Sequence, residues 1–185
     1  MTKSPPVFGV TGWKNSGKTT LTERIIAELT ARGFAVASVK HAHHKFDIDT
    51  PGTDSFRHRE AGARETAIVG GARWAIMHEL RDEAEPSMDE VIARLSPCDI
   101  VIVEGYKREA HPKIECRRAD ARKGEPLTLA DANIVGIASD TGGAADGTNP
   151  KNVPVFQIDD IASICDFVLA HCRLPARAGG AKVEA

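Results

Sequence analysis

Gly12-Trp13-Lys14-Asn15-Ser16-Gly17-Lys18-Thr19 sets two glycines, a lysine and a hydroxyl residue at the spacing GxxxxGK[ST]. Glycines carry no Cβ, so the backbone N–H groups of such a loop, Asn15 and Ser16 included, converge on phosphate oxygens. The Lys18 ammonium is expected to bridge the β- and γ-phosphates, and the Thr19 hydroxyl to meet Mg²⁺. A helix starting here adds the positive end of its dipole to the same anion. The chemistry implied is the binding of a nucleoside triphosphate, with Lys14 read as an ordinary flanking cation.

Such a site needs an acid for the metal. Asp99-Ile-Val-Ile-Val-Glu104 is an apolar run with a carboxylate at each end; as a strand it holds them roughly 16 Å apart, too far to share one ion. Ligands of open α/β sheets bind beyond the carboxyl ends of the strands, which makes Glu104 the magnesium candidate and puts Asp99 at the opposite edge. The usual acid at that place is aspartate, so direct and water-mediated contact both stay open. Asp47 and Asp49 lie in the loop after the second expected strand and are candidates to position water or magnesium, or to act as a base. Lys18, Asp47 and Asp49 are therefore the candidate catalytic residues, and Asp54 reads as a plain helix cap. Asp140, just after another expected strand, lies where a carboxylate can accept hydrogen bonds from a guanine base, although no NKxD sequence accompanies it. His41, His43 and His44 allow a transition-metal reading, but no Cys or carboxylate completes a recognisable spacing; holding the loop or an anionic partner is the simpler role.

These residues need a parallel sheet behind them. Val7–Thr11 reads as a strand, Thr20–Ala31 as a helix with Leu21, Ile25, Ile26 and Leu29 at helical spacing, Gly33 as its stop, and Ala35–Lys40 as the next strand: a βαβ unit. The stretch from His41 to Thr53 is aperiodic and polar, a long loop. Asp54–Ala61 reads as a short helix, and Glu65–Val69 and Arg73–Met77 as strands around the turn signal Gly70-Gly71. Ser87-Met-Asp-Glu90 matches a capping box that opens a helix reaching Leu95. Ile100–Val103, Ile134–Ala138 and Val155–Ile158 read as buried strands and Ile161–Ala170 as a final helix. Arg117–Pro126 and Asp140–Pro150 read as surface segments. The fold class expected is α/β, a P-loop NTPase with a mainly parallel sheet flanked by helices and an inserted β-hairpin region. One domain spans residues 1–174, and residues 175–185 form a mobile tail.

The 185 residues carry 24 Lys+Arg against 26 Asp+Glu, a formal charge of -2, which gives no broad positive field for a nucleic acid. Cys98, Cys116, Cys165 and Cys172 are scattered without a CxxC pair and read as reduced packing residues. The N-terminal residues lack a signal peptide's apolar stretch and no segment is apolar enough to span a bilayer, so the expectation is a cytoplasmic protein without membrane or nucleic-acid partners.

GWKNSGKTT at Gly12–Thr20, VKHAHHKFDIDTPGTDS at Val39–Ser55, REAGA at Arg59–Ala63, RWAIM at Arg73–Met77, DIVIVEGYK at Asp99–Lys107 and PKIECR at Pro112–Arg117 together resemble the MobB family of molybdopterin-guanine dinucleotide biosynthesis adaptors. The histidine-aspartate stretch is the more specific part, since phosphate loops serve many functions. The resemblance implies a homodimer that binds GTP with Mg²⁺, hydrolyses it slowly and assists a MobA-type nucleotidyltransferase or molybdopterin-carrying proteins. On it, Gly12–Thr20, with Thr20 included, hold the phosphates, Thr19 and Glu104 serve magnesium, and the Asp47–Ser55 loop senses the γ-phosphate. The alternatives are a small-molecule P-loop kinase and a metallochaperone GTPase using His41, His43 and His44. Arg59 and Arg73 are the arginines considered as fingers across a dimer.

Overall fold

The computed structural model describes residues 4–42, 46–121, 124–141, 149 and 152–177. The chain divides into two compact units, one formed by residues 1–41 and 92–185 and the other by residues 42–91. His43 and His44, most of the loop expected at Asp140–Pro150, and residues 178–185 of the expected tail lie outside the described residues.

The first unit is an α/β layer. Its strands β1 (Val7–Thr11), β2 (Val36–Lys40), β5 (Ile100–Glu104), β6 (Lys113–Arg117), β7 (Ile134–Ser139) and β8 (Val155–Gln157) form one sheet in the order β2-β5-β1-β6-β7-β8. All five pairings are parallel. Parallel strands covered on both faces need side chains that bury in both directions; β5 reads Ile-Val-Ile-Val-Glu and is buried at every position. Helix α1 (Lys18–Ala31) follows β1 directly and turns Leu21, Ile25 and Leu29 inward at a four-residue spacing. It packs with Ile164, Cys165, Val168 and Leu169 of α5 (Ile161–His171) around Phe8, Val10, Ile102 and Ile114. Asp160 caps α5 by accepting the Ser163 amide at 3.2 Å.

Strand β6 and the one-turn helix α4 (Leu127–Ala130) are elements to which the sequence pattern assigns nothing. Lys113-Ile-Glu-Cys-Arg117 alternates charge with apolar residues, the mark of a half-exposed strand, yet Lys113 and Glu115 are 0% and 1% exposed. Local partners explain this. The Lys113 ammonium donates to Asp131 at 2.8 Å and to the Glu109 carbonyl. Glu115 accepts from the Leu127 and Thr128 amides at the start of α4 and from Arg117.

The second unit contains α2 (Asp54–Glu60) and an antiparallel hairpin of β3 (Glu65–Val69) and β4 (Trp74–His78) in the register Glu65↔His78 to Val69↔Trp74. Gly70 donates to the Arg73 carbonyl at 2.9 Å across the turn, as the paired glycines lead one to expect. The capping box also forms: the Ser87 amide donates to Glu90 and the Glu90 amide to the Ser87 hydroxyl. It opens α3 (Met88–Ala93), two residues shorter than the pattern implies. Among the described residues, no helix is long and apolar enough to cross a membrane.

Candidate functional site

Strand β1 ends at Thr11, α1 begins at Lys18, and the six residues between them form a backbone cup. Asn15 and Gly17 have φ of 66° and 87°, left-handed values that cost an ordinary side chain about 1–2 kcal/mol. At Gly12, φ is 150° and a Cβ would stand 2.5 Å from both the Cys116 carbonyl oxygen and Ser16 Oγ. The loop is fastened from below by β6, because the Cys116 thiol donates to the Ser16 carbonyl at 2.7 Å. Burial pushes that thiol up to about 11, so Cys116 serves as a neutral donor and packing group. Ser16 is 1% exposed, and its hydroxyl has no hydrogen-bond partner. On the rim, Trp13 donates its indole N–H to the Glu125 carbonyl at 2.9 Å, and the Lys107 ammonium lies 4.9 Å above its ring.

The Lys18 ammonium folds back over the cup and donates to the Trp13 carbonyl at 2.7 Å. Its pKa is lowered, first by burial and then by the neighbouring Lys107, against the opposing pull of Glu104. A half-buried ammonium with a second lysine beside it marks a place with surplus positive charge, the condition under which an anion is held.

Glu104 arrives from β5, which pairs with β1 on one side and β2 on the other, so that Val10, Glu104 and Lys40 stand level in the register. One carboxylate oxygen accepts from Thr19 Oγ1 at 3.1 Å and lies 3.3 Å from the Lys40 ammonium. A hydroxyl and a buried carboxylate side by side are hard oxygen donors of the kind Mg²⁺ takes. The donor set therefore fits magnesium.

Other expected residues have different occupations. Asp47 and Asp49 belong to the second unit, where both accept hydrogen bonds from Arg59, at 2.8 Å and 2.6 Å, while Glu79 takes a third N–H at 2.7 Å. Bonding to Arg59 holds the Asp49 carboxyl below its ordinary range, which weakens it as a proton acceptor. The same carboxylates engage the guanidinium of Arg59, one of the two finger candidates. Asp140 follows β7 and accepts the Ala119 amide, at 3.1 Å and 3.4 Å to its two oxygens. It thus ties down the turn after β6. His41 packs against Tyr106, with ring centroids 4.6 Å apart, while His43 and His44 lie outside the described residues. Among the described residues no group of three His, Cys, Asp or Glu could hold a metal ion.

Arg118 is a residue that motif reading misses. It follows β6 and lies against Gly17, where a Cβ would come within 2.7 Å of its Nε. The clue available in the sequence was the position alone: an arginine at the carboxyl end of a strand beside β1.

Comparison with known proteins places this geometry in a lineage. Residues 7–140 match the family model "Molybdopterin guanine dinucleotide synthesis protein B", MobB. The molybdopterin-guanine dinucleotide biosynthesis adapter protein of Escherichia coli (strain K12) is 35% identical over 168 residues, covering 89% of this chain and 91% of that protein. Its counterpart in Haemophilus influenzae is 36% identical over 170 residues, covering 91% and 90%. Among solved structures, the MobB protein homolog from Bacillus stearothermophilus superposes with a TM-score of 0.62 at 28% identity, covering 90% of this chain and 97% of that one. Bacillus subtilis MobB gives 0.68 at 25% identity over the same shares.

Proposed function

The chain belongs to the MobB family of molybdopterin-guanine dinucleotide biosynthesis adapter proteins, and on that premise we propose that it binds GTP with Mg²⁺ at the Gly12–Thr20 loop and acts as a nucleotide-dependent adapter. The observation that carries this reading is the pairing of Thr19 with the buried Glu104 at the foot of α1, directly after the glycine-rich cup. In this assignment the loop amides and Lys18 hold phosphate oxygens, and Thr19 and Glu104 hold the metal. Bound magnesium would offset negative charge on the outer phosphates.

Lys18 now donates to the loop's own Trp13 carbonyl; swinging to a phosphate exchanges a neutral acceptor for a charged one, a stronger bond. Lys40 must share the Glu104 oxygen with an incoming cation, and its long, exposed side chain leaves it free to move aside. Slow intrinsic hydrolysis follows from the same assignment. Phosphate binding and a metal ligand are supplied, whereas fast turnover needs a water-orienting group and an arginine on the γ-phosphate as well.

The partner of this adapter is a nucleotidyltransferase of the MobA type, and the active form a homodimer in the cytoplasm. These assignments draw on the family resemblance and on the exposed apolar hairpin of the second unit.

The test is calorimetric titration with GTP, with ATP and with each plus Mg²⁺. Lys18→Ala is expected to weaken GTP binding about 10- to 100-fold, the value of a charge-assisted hydrogen bond or two, with an unchanged unfolding midpoint. Retained affinity in that variant would overturn the assignment. Preference for GTP over ATP in the wild-type protein supports the nucleotide named, and equal affinity refutes it.

A further inference from the structure

Strands β5 and β6 flank β1 on opposite sides, and all three run parallel. Residues that follow each strand therefore emerge at the same end, on opposite sides of the phosphate loop. The β5 side carries the metal donors: Glu104 bonded to Thr19, with Lys40 from β2 beyond it. On the β6 side stands Arg118.

The side chain of Arg118 lies along Gly17, the residue that caps α1. A methyl group at Gly17 would meet Nε at 2.7 Å, Cζ at 3.3 Å and Cδ at 3.4 Å. The guanidinium is thus within a few ångströms of the amides at the start of the helix. Its Nε is buried and has no hydrogen-bond partner, and leaving a buried charged donor unsatisfied is costly. The adjacent Arg117 is used differently, donating to Glu115 and to the Thr128 hydroxyl. Asp140, the acid nearest along the next strand, accepts from the Ala119 backbone. Arg118 is placed against the phosphate cup by its fold, and an anion in the cup would satisfy it.

We propose that Arg118 is a direct ligand of the nucleotide's α-phosphate, supplied by the same chain. The inference rests on the nucleotide reading above and adds to it the polarity of the bound triphosphate. A magnesium ion held by Thr19 and Glu104 would offset the charge of the outer phosphates, and these donors lie on the β5 side, so the outer end of the triphosphate belongs there. The phosphate nearest the nucleoside then falls on the β6 side, within reach of a planar guanidinium suited to phosphate oxygens. Arg118 is in this assignment a binding residue common to the triphosphate and the diphosphate. It is not a γ-phosphate finger.

The experiment is titration of wild-type protein, Arg118→Ala, Arg118→Lys and Lys18→Ala with magnesium GTP and GDP, combined with phosphorus NMR of bound GDP. Arg118→Ala is expected to lose about tenfold in affinity for both nucleotides alike, and Arg118→Lys to recover part of it, since lysine keeps the charge and loses the planar fork. In the NMR spectrum the α-phosphorus resonance should move in Arg118→Ala while the β resonance stays, a shift that loosened packing around Gly17 would not confine to one phosphorus. Unchanged GDP affinity in both Arg118 variants overturns the proposal, as does a loss confined to GTP. If Lys18→Ala weakens binding and the Arg118 variants do not, only this inference fails. If Lys18→Ala still binds normally, the nucleotide reading itself fails.

Discussion

Cys116, Glu104 and Thr19 show how far single residues can be read ahead of a structure. Thr19 and Glu104 were legible because a spacing rule fixes the first and a strand-end rule the second, and the fold brings them to 3.1 Å. Arg118 was not, because it follows a strand whose alternating charges conceal its burial; Cys116, on that strand, was legible as a reduced packing residue but not as a donor to the Ser16 carbonyl. His111 is another residue of this hidden kind. It is 5% exposed, neither ring nitrogen has a hydrogen-bond partner, and its Nε2 would stand 2.5 Å from a Cβ on Gly9. Burial, with Lys113 adding to it against the weaker pull of Asp131, lowers its pKa to about 4. An unfolded histidine takes up its proton near pH 6.5, so between these two values the unfolded chain binds more protons than the folded one. Stability from this group is complete above pH 6.5 and falls as the pH drops towards 4, with a limiting slope of about 1.4 kcal/mol per pH unit. Urea unfolding at pH 7, 6 and 5 checks this: His111→Leu should show a shallower decline than wild type by up to that slope, and parallel curves would refute it.

At the level of elements, hydrophobic period and turn chemistry carried most of the fold. The runs at β1, β5 and β7 announce buried strands, and Leu21, Ile25 and Leu29 announce α1; β2 and β8 were legible as strands, but they end the sheet, and β8, expected to be buried, is only partly so. What escaped was β6 and α4, whose stability comes from specific partners of buried charges, which no periodicity encodes. The two ends of α1 provide a controlled comparison of glycine roles. At the C-terminus, Gly33 has φ 84°; its amide donates to Thr30 O and that of Phe34 to Leu29 O, the two bonds of a Schellman stop. Open space surrounds Gly33, with no atom within 4 Å of an added Cβ. Gly33→Ala should therefore cost about 1 kcal/mol in backbone strain alone, with nucleotide affinity unchanged. At the N-terminus, Gly17 combines φ 87° with the close Arg118 side chain, so Gly17→Ala should lose comparable or greater stability and also phosphate affinity. Chemical denaturation and nucleotide titration of the two variants side by side test the pair. Equal nucleotide affinity in both would show that the conformation at Gly17 is a helix cap only.

For the whole molecule, a formal charge of -2 on 185 residues leaves little long-range repulsion to oppose self-association, and the second unit offers a surface for it. Strands β3 and β4 alternate sides: Thr66 and Met77 are buried on one face at 6% and 7% exposure, whereas Val69, Trp74 and Ile76 are exposed at 79%, 66% and 54% on the other. Val69 and Trp74 are direct cross-strand partners. An exposed apolar sheet face of this kind marks a contact surface, and the symmetric contact of two identical faces is the commonest way to bury one. The hairpin itself was legible from its glycines; the apolar character of both its faces was legible too, but which face lies open depends on tertiary packing. If the proposed homodimer uses this face, Ile76→Lys places a charge among the apolar side chains at the interface and should turn a dimer into a monomer by sedimentation at tens of micromolar protein. Ile76 lies on the exposed face, so the unfolding midpoint of the isolated chain should hardly move, and GTP affinity at the Gly12–Thr20 loop should persist. A wild-type protein that sediments as a monomer at those concentrations, or an Ile76→Lys variant that remains a dimer, would remove this hairpin face from the interface.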